Sequence, residues 1–68
     1  MIDVTKIKIY MLLKDTNLTS LANELDKPKS TIHRWFTKRN MPVKYAEKIV
    51  KILGIPKEEV GNIFFDLN

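Results

Sequence analysis

Residues 17–38 read NLTSLANELDKPKSTIHRWFTK and contain two helical patterns separated by a short breaker. The apolar residues of the first pattern recur at the i, i+3, i+4 and i+7 spacing of an amphipathic helix: Leu18, Leu21, Ala22 and Leu25. Asn17 is placed to cap the start of this helix. Pro28 disfavours helical geometry at the residue before it and suits the first position of a new helix. The stretch therefore predicts a turn between Leu25 and Pro28.

The second pattern divides into an apolar and a polar face. Ile32, Trp35 and Phe36 form the apolar stripe, and such a stripe indicates core packing. Extending it by one more step would bury Arg39, so the helix is expected to end one or two residues before it. The opposite face carries polar and basic side chains: Lys29, Ser30, His33, Arg34 and Thr37.

Three further helices are predicted around this pair. Residues 4–14 have a helical stripe, but their alternating apolar residues also fit a strand, so a partial strand stays open while helix is favoured. A fourth helix is expected from Pro42 to Leu53 with Gly54 as its stop, and a fifth from Pro56 to about Ile63. The expected fold is a compact all-α bundle of four to five helices, forming one domain over residues 1–68.

Charge is concentrated in the middle of the chain. The formal net charge is +4 over 68 residues, yet residues 26–51 alone carry eight Lys or Arg against two acids. We call residues 26–51 the basic band. A basic segment flanked by neutral and acidic ends suggests a surface that faces a polyanion.

Composition argues against most enzyme classes. The chain has no cysteine, one histidine and two glycines, which leaves no thiolate nucleophile, no structural metal site and no glycine-rich phosphate loop. We therefore expect no catalysis, no cofactor, no metal and no small-molecule ligand. No stretch is long enough to span a bilayer and no signal peptide is evident. The expected location is the cytoplasm, without a membrane partner.

A helix, a short turn and a second helix with a basic free face form the outline of helix-turn-helix DNA recognition. In that arrangement the first helix braces the second, whose start enters the major groove. The residues assigned to base contacts are Lys29, Ser30, His33 and Arg34. Those assigned to phosphate contacts are Lys27, Thr31, Lys38, Arg39 and Asn40.

These residues also resemble a known family, the Cro/repressor-type (XRE-like) helix-turn-helix proteins of phages and mobile elements. LANEL at residues 21–25 is similar to the second helix of that family, and KSTIHRW at 29–35 is similar to its recognition helix. A basic loop and a proline follow at 38–42, and GIPKEEV at 54–60 is also typical. The resemblance covers residues 17 to about 65. It implies a lambda-repressor-like five-helix fold and dimeric binding to a pseudo-palindromic operator. It also implies a protein associated with the nucleoid of a bacterial cell or phage-infected host.

The chain departs from the family pattern at four positions. Asp26 stands at the turn position that is often glycine, and Lys27 replaces an apolar residue. Leu18 replaces the glutamine that commonly opens the second helix, and Phe36 stands where an acidic residue is frequent. The departures at Leu18 and Lys27, together with the apolar end of the chain, leave open an antirepressor-like or antitoxin-like protein-interaction module. An excisionase-like architectural protein that bends DNA is a third possibility.

The end of the chain is strongly apolar. Phe64, Phe65 and Leu67 are expected either to close the core beneath the first helix or to form a dimer seam, or to do both. The leading hypothesis is a Cro-like repressor that occupies double-stranded operator DNA as a homodimer.

Overall fold

The computed structural model describes residues 2–64, which form a compact globule of five α-helices. Their bounds are α1 Val4–Leu13, α2 Leu18–Leu25, α3 Lys29–Lys38, α4 Val43–Leu53 and α5 Lys57–Ile63. No strand occurs within residues 2–64, so the all-α prediction is confirmed and the strand alternative for residues 4–14 was wrong. The stripe Val4, Ile7 and Met11 lies in the core, and this burial selects the helix over the strand.

The helix ends follow local chemistry. Asn17 Oδ1 accepts a hydrogen bond from the Ser20 amide at 2.9 Å, as expected of an N-cap. After α2 and α3 the chain reverses through left-handed residues, Asp26 at φ 55° and Arg39 at φ 53°. Aspartate tolerates this conformation better than most residues. Asp26 therefore makes the turn that glycine commonly makes at this position.

Helices α3, α4 and α5 each begin one residue later than the sequence indicated. Pro28, Pro42 and Pro56 occupy the N-cap positions of α3, α4 and α5 rather than their first helical positions, with φ near −60° and ψ of 144°, 141° and 143°. The ring fixes φ, and the extended ψ turns each carbonyl toward the first turn of the helix. The Pro28 and Pro42 carbonyls accept hydrogen bonds from Thr31 and Tyr45, both at 3.0 Å.

The core lies among all five helices and is apolar throughout. Its fully buried members include Ile7, Leu21, Ile32, Ile49 and Ile63. No polar or charged side chain is buried among the described residues. The globule measures 27 × 23 × 19 Å along its principal axes. Because it is so small, every helix has one face against the core and another toward solvent.

The N-terminal segment joins two distant parts of the fold. The Ile2 amide donates to the Arg39 carbonyl at 3.0 Å, and the Asp3 amide donates to the Ile63 carbonyl at 2.9 Å. Ile2 itself is buried. The first bond holds the N-terminal segment against the loop after α3, and the second holds it against the end of α5.

Phe64 packs in the core as the last described residue of the chain, only 2% exposed. This position favours its role in closing the core. Phe65 and Leu67 lie outside the described residues. Within residues 2–64, no helix has both the length and the apolar character needed to cross a membrane.

Candidate nucleic-acid interface

The candidate interface is built on α3, which α2 supports from behind. Leu21 and Leu25 of α2 share the core with Ile32 and Phe36 of α3. The link of three residues between the helices is fixed by a hydrogen bond from the Lys27 amide to the Ala22 carbonyl at 3.0 Å. The shared core and the hydrogen-bonded link together hold α3 against α2.

The outer side of α3 carries a row of exposed polar side chains. Ser30, Arg34 and Thr37 follow one another at i, i+4 and i+7, and all three are exposed. Lys29 and His33 are exposed beside this row. All four residues assigned to base contacts are therefore accessible on one helix. Thr37 shares their face, although sequence reasoning gave it no role.

The phosphate-contact candidates divide into two groups. Lys38, Arg39 and Asn40 are exposed at the end of α3, whereas Lys27 and Thr31 are only half-exposed. The Asn40 amide donates to the Trp35 carbonyl at 3.1 Å. This bond and the Ile2 contact to Arg39 hold the loop against the end of the helix.

A surface cleft of about 550 Å³ brings members of both predicted groups together. Arg34 of the base-contact group lines it with Lys38 and Asn40 of the phosphate-contact group. The rest of the lining comes from Trp35, Met41 and Pro42. Two cations and an amide thus converge over a partly apolar surface. Such a cleft suits a phosphate or sugar edge, because cations neutralise the anion while the ring excludes water.

The electrostatics of this surface are uniformly positive. Residues 27–46 contain six Lys or Arg and no acid. Within residues 2–64, the ion pair that forms joins Lys6 to Glu59 at 3.9 Å, on α1 and α5, and no carboxylate of the described part pairs with a cation of the basic band. The positive charges of α3 and its loop therefore remain available to an anionic partner.

Tyr45 on α4 organises three lysines at the edge of the interface. The ammonium groups of Lys27, Lys48 and Lys44 lie 5.1, 5.3 and 5.8 Å from its ring centroid, within the range of cation–π attraction. The Trp35 ring lies against it with centroids 5.1 Å apart. Tyr45 therefore connects α4 to the α2–α3 link and to α3.

The lysines also alter the chemistry of the phenol. Hydrogen bonding by the Lys27 ammonium holds the pKa of Tyr45 below its ordinary value, and the charges of Lys27, Lys44 and Lys48 act in the same direction against desolvation. Sequence reasoning did not single out Tyr45. The available signal was its position between Lys44 and Lys48, one residue before the buried Ala46.

The residues of α3 and its loop are suited to binding an anionic partner. Within the described residues, no three His, Cys, Asp or Glu side chains converge as metal ligands would. What α3 and its loop present is a set of hydrogen-bond donors and positive charges on a braced helix. The chain matches no family model, no curated protein and no solved structure.

Proposed function

We propose that this protein is a sequence-specific DNA-binding regulator in which α2 and α3 form a helix-turn-helix of the Cro/repressor type. One observation carries the proposal: the exposed face of α3 is polar and basic, free of acids, and braced by α2. A helix so placed fits the major groove, where side chains near its start meet base edges. The resemblance of residues 17–65 to that family supports the same function.

The contacts divide by side-chain length and charge. Ser30 is short and neutral, and it suits close approach to a base edge, with Lys29, His33 and Arg34 reaching neighbouring bases. Lys38 and Asn40 at the cleft, with Arg39 beside them, suit the phosphate backbone. Non-specific affinity would then come mainly from the loop and specificity mainly from the helix.

A single α3 covers one half-site, so the proposal includes a homodimer on DNA. Two-fold symmetric proteins of this kind bind half-sites about one helical turn apart, roughly 34–36 Å. In this proposal the dimer acts as a repressor, because a dimer seated on an operator blocks other proteins from the same DNA.

Selection of bound sites from random DNA, followed by binding measurements on the selected duplex and a scrambled one, tests the proposal. We expect a two-fold motif. Ser30→Ala should weaken binding to the selected duplex by about 1–3 kcal/mol per contact and leave the scrambled duplex unaffected. Lys38→Ala should weaken both duplexes equally. Lys57→Ala, an exposed lysine of α5, is the matched control and should change neither.

Three results would contradict the proposal or redirect it. Equal losses for Ser30→Ala and Lys38→Ala on both duplexes would remove the division between helix and loop. Absence of salt-dependent DNA binding would exclude the regulator and favour the protein-interaction module. Strong bending of DNA at several adjacent sites would favour the architectural protein instead.

A further inference from the structure

A second surface of the molecule lies between α1 and α3, on the side of α3 that carries His33. It is an open groove of about 350 Å³. Its apolar lining comes from Met11, Leu12, Leu18 and Phe36, and Thr16 and Thr37 add hydroxyl groups. Met11 and Phe36 are also members of the core, so the groove opens directly onto the hydrophobic interior.

The apolar surface continues from this groove across the outer side of α1. Leu12, Leu13 and Ile9 are 80%, 74% and 52% exposed, and they are adjacent on the helix at i, i+3 and i+4. We call these three residues the α1 ridge. An isolated exposed leucine is ordinary, but a contiguous ridge beside an apolar groove marks an interaction site.

Lys8 gives the groove a positive charge, His33 adds an imidazole N–H donor, and no acid lines it. On the other side of the α1 ridge the charge is balanced, because Lys6 lies 3.9 Å from Glu59. The helix α1 contains no Asp or Glu. A partner that fills the groove therefore gains from acidic residues on the α3 side of the α1 ridge.

The same features disfavour other occupants. A second copy of α1 laid antiparallel on the α1 ridge would bring its lysines toward those of the first copy. A small acid would be largely enclosed by its pocket, whereas this groove is open and its apolar surface extends beyond it. An amphipathic helix uses apolar anchors at i, i+3 or i+4, and i+7, which suits a groove next to a ridge.

We propose that the groove between α1 and α3 docks an acidic amphipathic helix of another protein, whose apolar side chains enter the groove and whose carboxylates face Lys8 and His33. The inference has a regulatory consequence that rests on the proposed function. His33 lines the groove and also lies on the DNA-contact face of α3. A docked acidic helix therefore covers His33 and brings carboxylates toward the DNA-contact face, so the two partners compete.

The probe is a synthetic alanine-based peptide of about 18 residues, long enough to be helical in water, with leucines at i, i+4 and i+7 flanked by glutamates. Two peptides are matched to it: one has the same composition with the leucine spacing broken, and one has lysines in place of the glutamates. Binding to the isotope-labelled full chain is followed by amide chemical shifts. We expect shifts at Met11, Leu12, His33 and Phe36 with the acidic peptide, and at least about tenfold weaker binding of both matched peptides.

Protein variants locate the contact. Leu12→Ala should weaken the acidic peptide about tenfold. Val43→Ala is the matched control, because Val43 is an exposed apolar residue on α4 that does not line the groove. This variant should bind the acidic peptide as tightly as the parent chain does. Equal binding of the three peptides, equal losses for both variants, or shifts centred on α5 would overturn the proposal. Preferential binding to phosphatidylglycerol vesicles over the acidic peptide would overturn it in favour of a membrane surface.

Competition is measured separately, by adding the acidic peptide to the protein on the selected duplex. Release of the duplex supports the regulatory part, and simultaneous binding of peptide and duplex overturns that part. If the chain binds no DNA, the proposed function fails while the chemical shifts still decide whether the groove docks the peptide. The two failures are therefore distinguishable.

Discussion

Tyr45 shows how a single residue can gather positive charge without removing it. Its ring lies close to the ammonium groups of Lys27, Lys44 and Lys48. A carboxylate in that place would neutralise the lysines as an ion pair, whereas an aromatic ring holds them by its quadrupole and leaves their charge intact. The cluster therefore orders cations beside the proposed interface while keeping them available to an anionic partner.

The lowered pKa of Tyr45 is open to direct measurement. In a Tyr10→Phe background, where Tyr45 is the only tyrosine of the chain, absorbance of the phenolate should titrate with a pKa below the ordinary value of 10.0. Lys27→Met should raise this pKa toward 10.0, because it removes the largest cause of the shift. Lys57→Met is the control and should leave the titration unchanged. An unaltered midpoint in Lys27→Met would contradict the assigned cause.

The sign of the pH effect on stability follows from the same shift. The phenol has a lower pKa in the folded chain than in the unfolded chain, so the phenolate favours folding. Its contribution is fully present above pH 10.0 and is lost as the pH falls through the lowered folded pKa. Between the two values the difference in unfolding free energy between the Tyr10→Phe protein and its Lys27→Met derivative should grow with pH.

At the scale of elements, replacing each of the two glycines of the chain by alanine should change the unfolding free energy in opposite directions. Gly54 ends α4 with φ 64°, a conformation that costs other residues about 1–2 kcal/mol. A Cβ there would lie 3.3 Å from Lys14 Cε, the far part of a flexible side chain, so the backbone supplies most of the cost. We expect Gly54→Ala to lower the unfolding free energy by about 1–2 kcal/mol.

Gly61 is the matched position, inside α5 with open space around its Cα. Gly61→Ala should raise the unfolding free energy by about 0.5–1 kcal/mol, because alanine loses less backbone entropy in a helix. Chemical denaturation of both variants measures the two effects. Changes of the same sign would contradict the left-handed assignment of Gly54.

At the scale of the whole molecule, stability depends on closing a small core from both ends of the chain. Phe64 is 2% exposed, and truncation of a buried phenylalanine costs about 3–5 kcal/mol. A domain of this size has a margin of only about 3–5 kcal/mol, so Phe64→Ala should be largely unfolded at room temperature. Circular dichroism and thermal denaturation measure this loss.

Leu12→Ala is the control for Phe64→Ala, since Leu12 is 80% exposed. Its thermal midpoint should stay close to that of the parent chain, within about 0.5 kcal/mol in unfolding free energy. A folded Phe64→Ala protein with a weakened dimer would instead assign Phe64 to an interface between two copies.

The proposed function predicts a strong dependence of DNA affinity on salt. If a dimer neutralises about eight phosphates, the logarithm of the association constant should fall with the logarithm of salt concentration at a slope of about −7. Lys38→Ala should reduce the magnitude of this slope by about 2, one contact per protomer. Fluorescence anisotropy across a salt series measures both slopes, and an unchanged slope would remove Lys38 from the phosphate contacts.

The sequence by itself determined the order of the helices from α2 to α5 and the polar face of α3, and it left the first element open between helix and strand. Apolar spacing and breakers such as Pro28 and Gly54 act locally, and the helices follow them to within one or two residues at each end. The accessibility of Ser30, His33 and Arg34 follows from the same spacing, because residues opposite a buried stripe face solvent.

Only the tertiary structure decided which distant residues meet. The contact of Ile2 with the loop after α3, the approach of Lys27 to Tyr45 and the groove between α1 and α3 each join residues far apart in the chain. It also decided the structure of residues 4–14. Their apolar residues alternate as in a strand, and in a helix they lie on more than one side. Packing of Val4, Ile7 and Met11 against the core selected the helix, and it left Ile9, Leu12 and Leu13 on the surface.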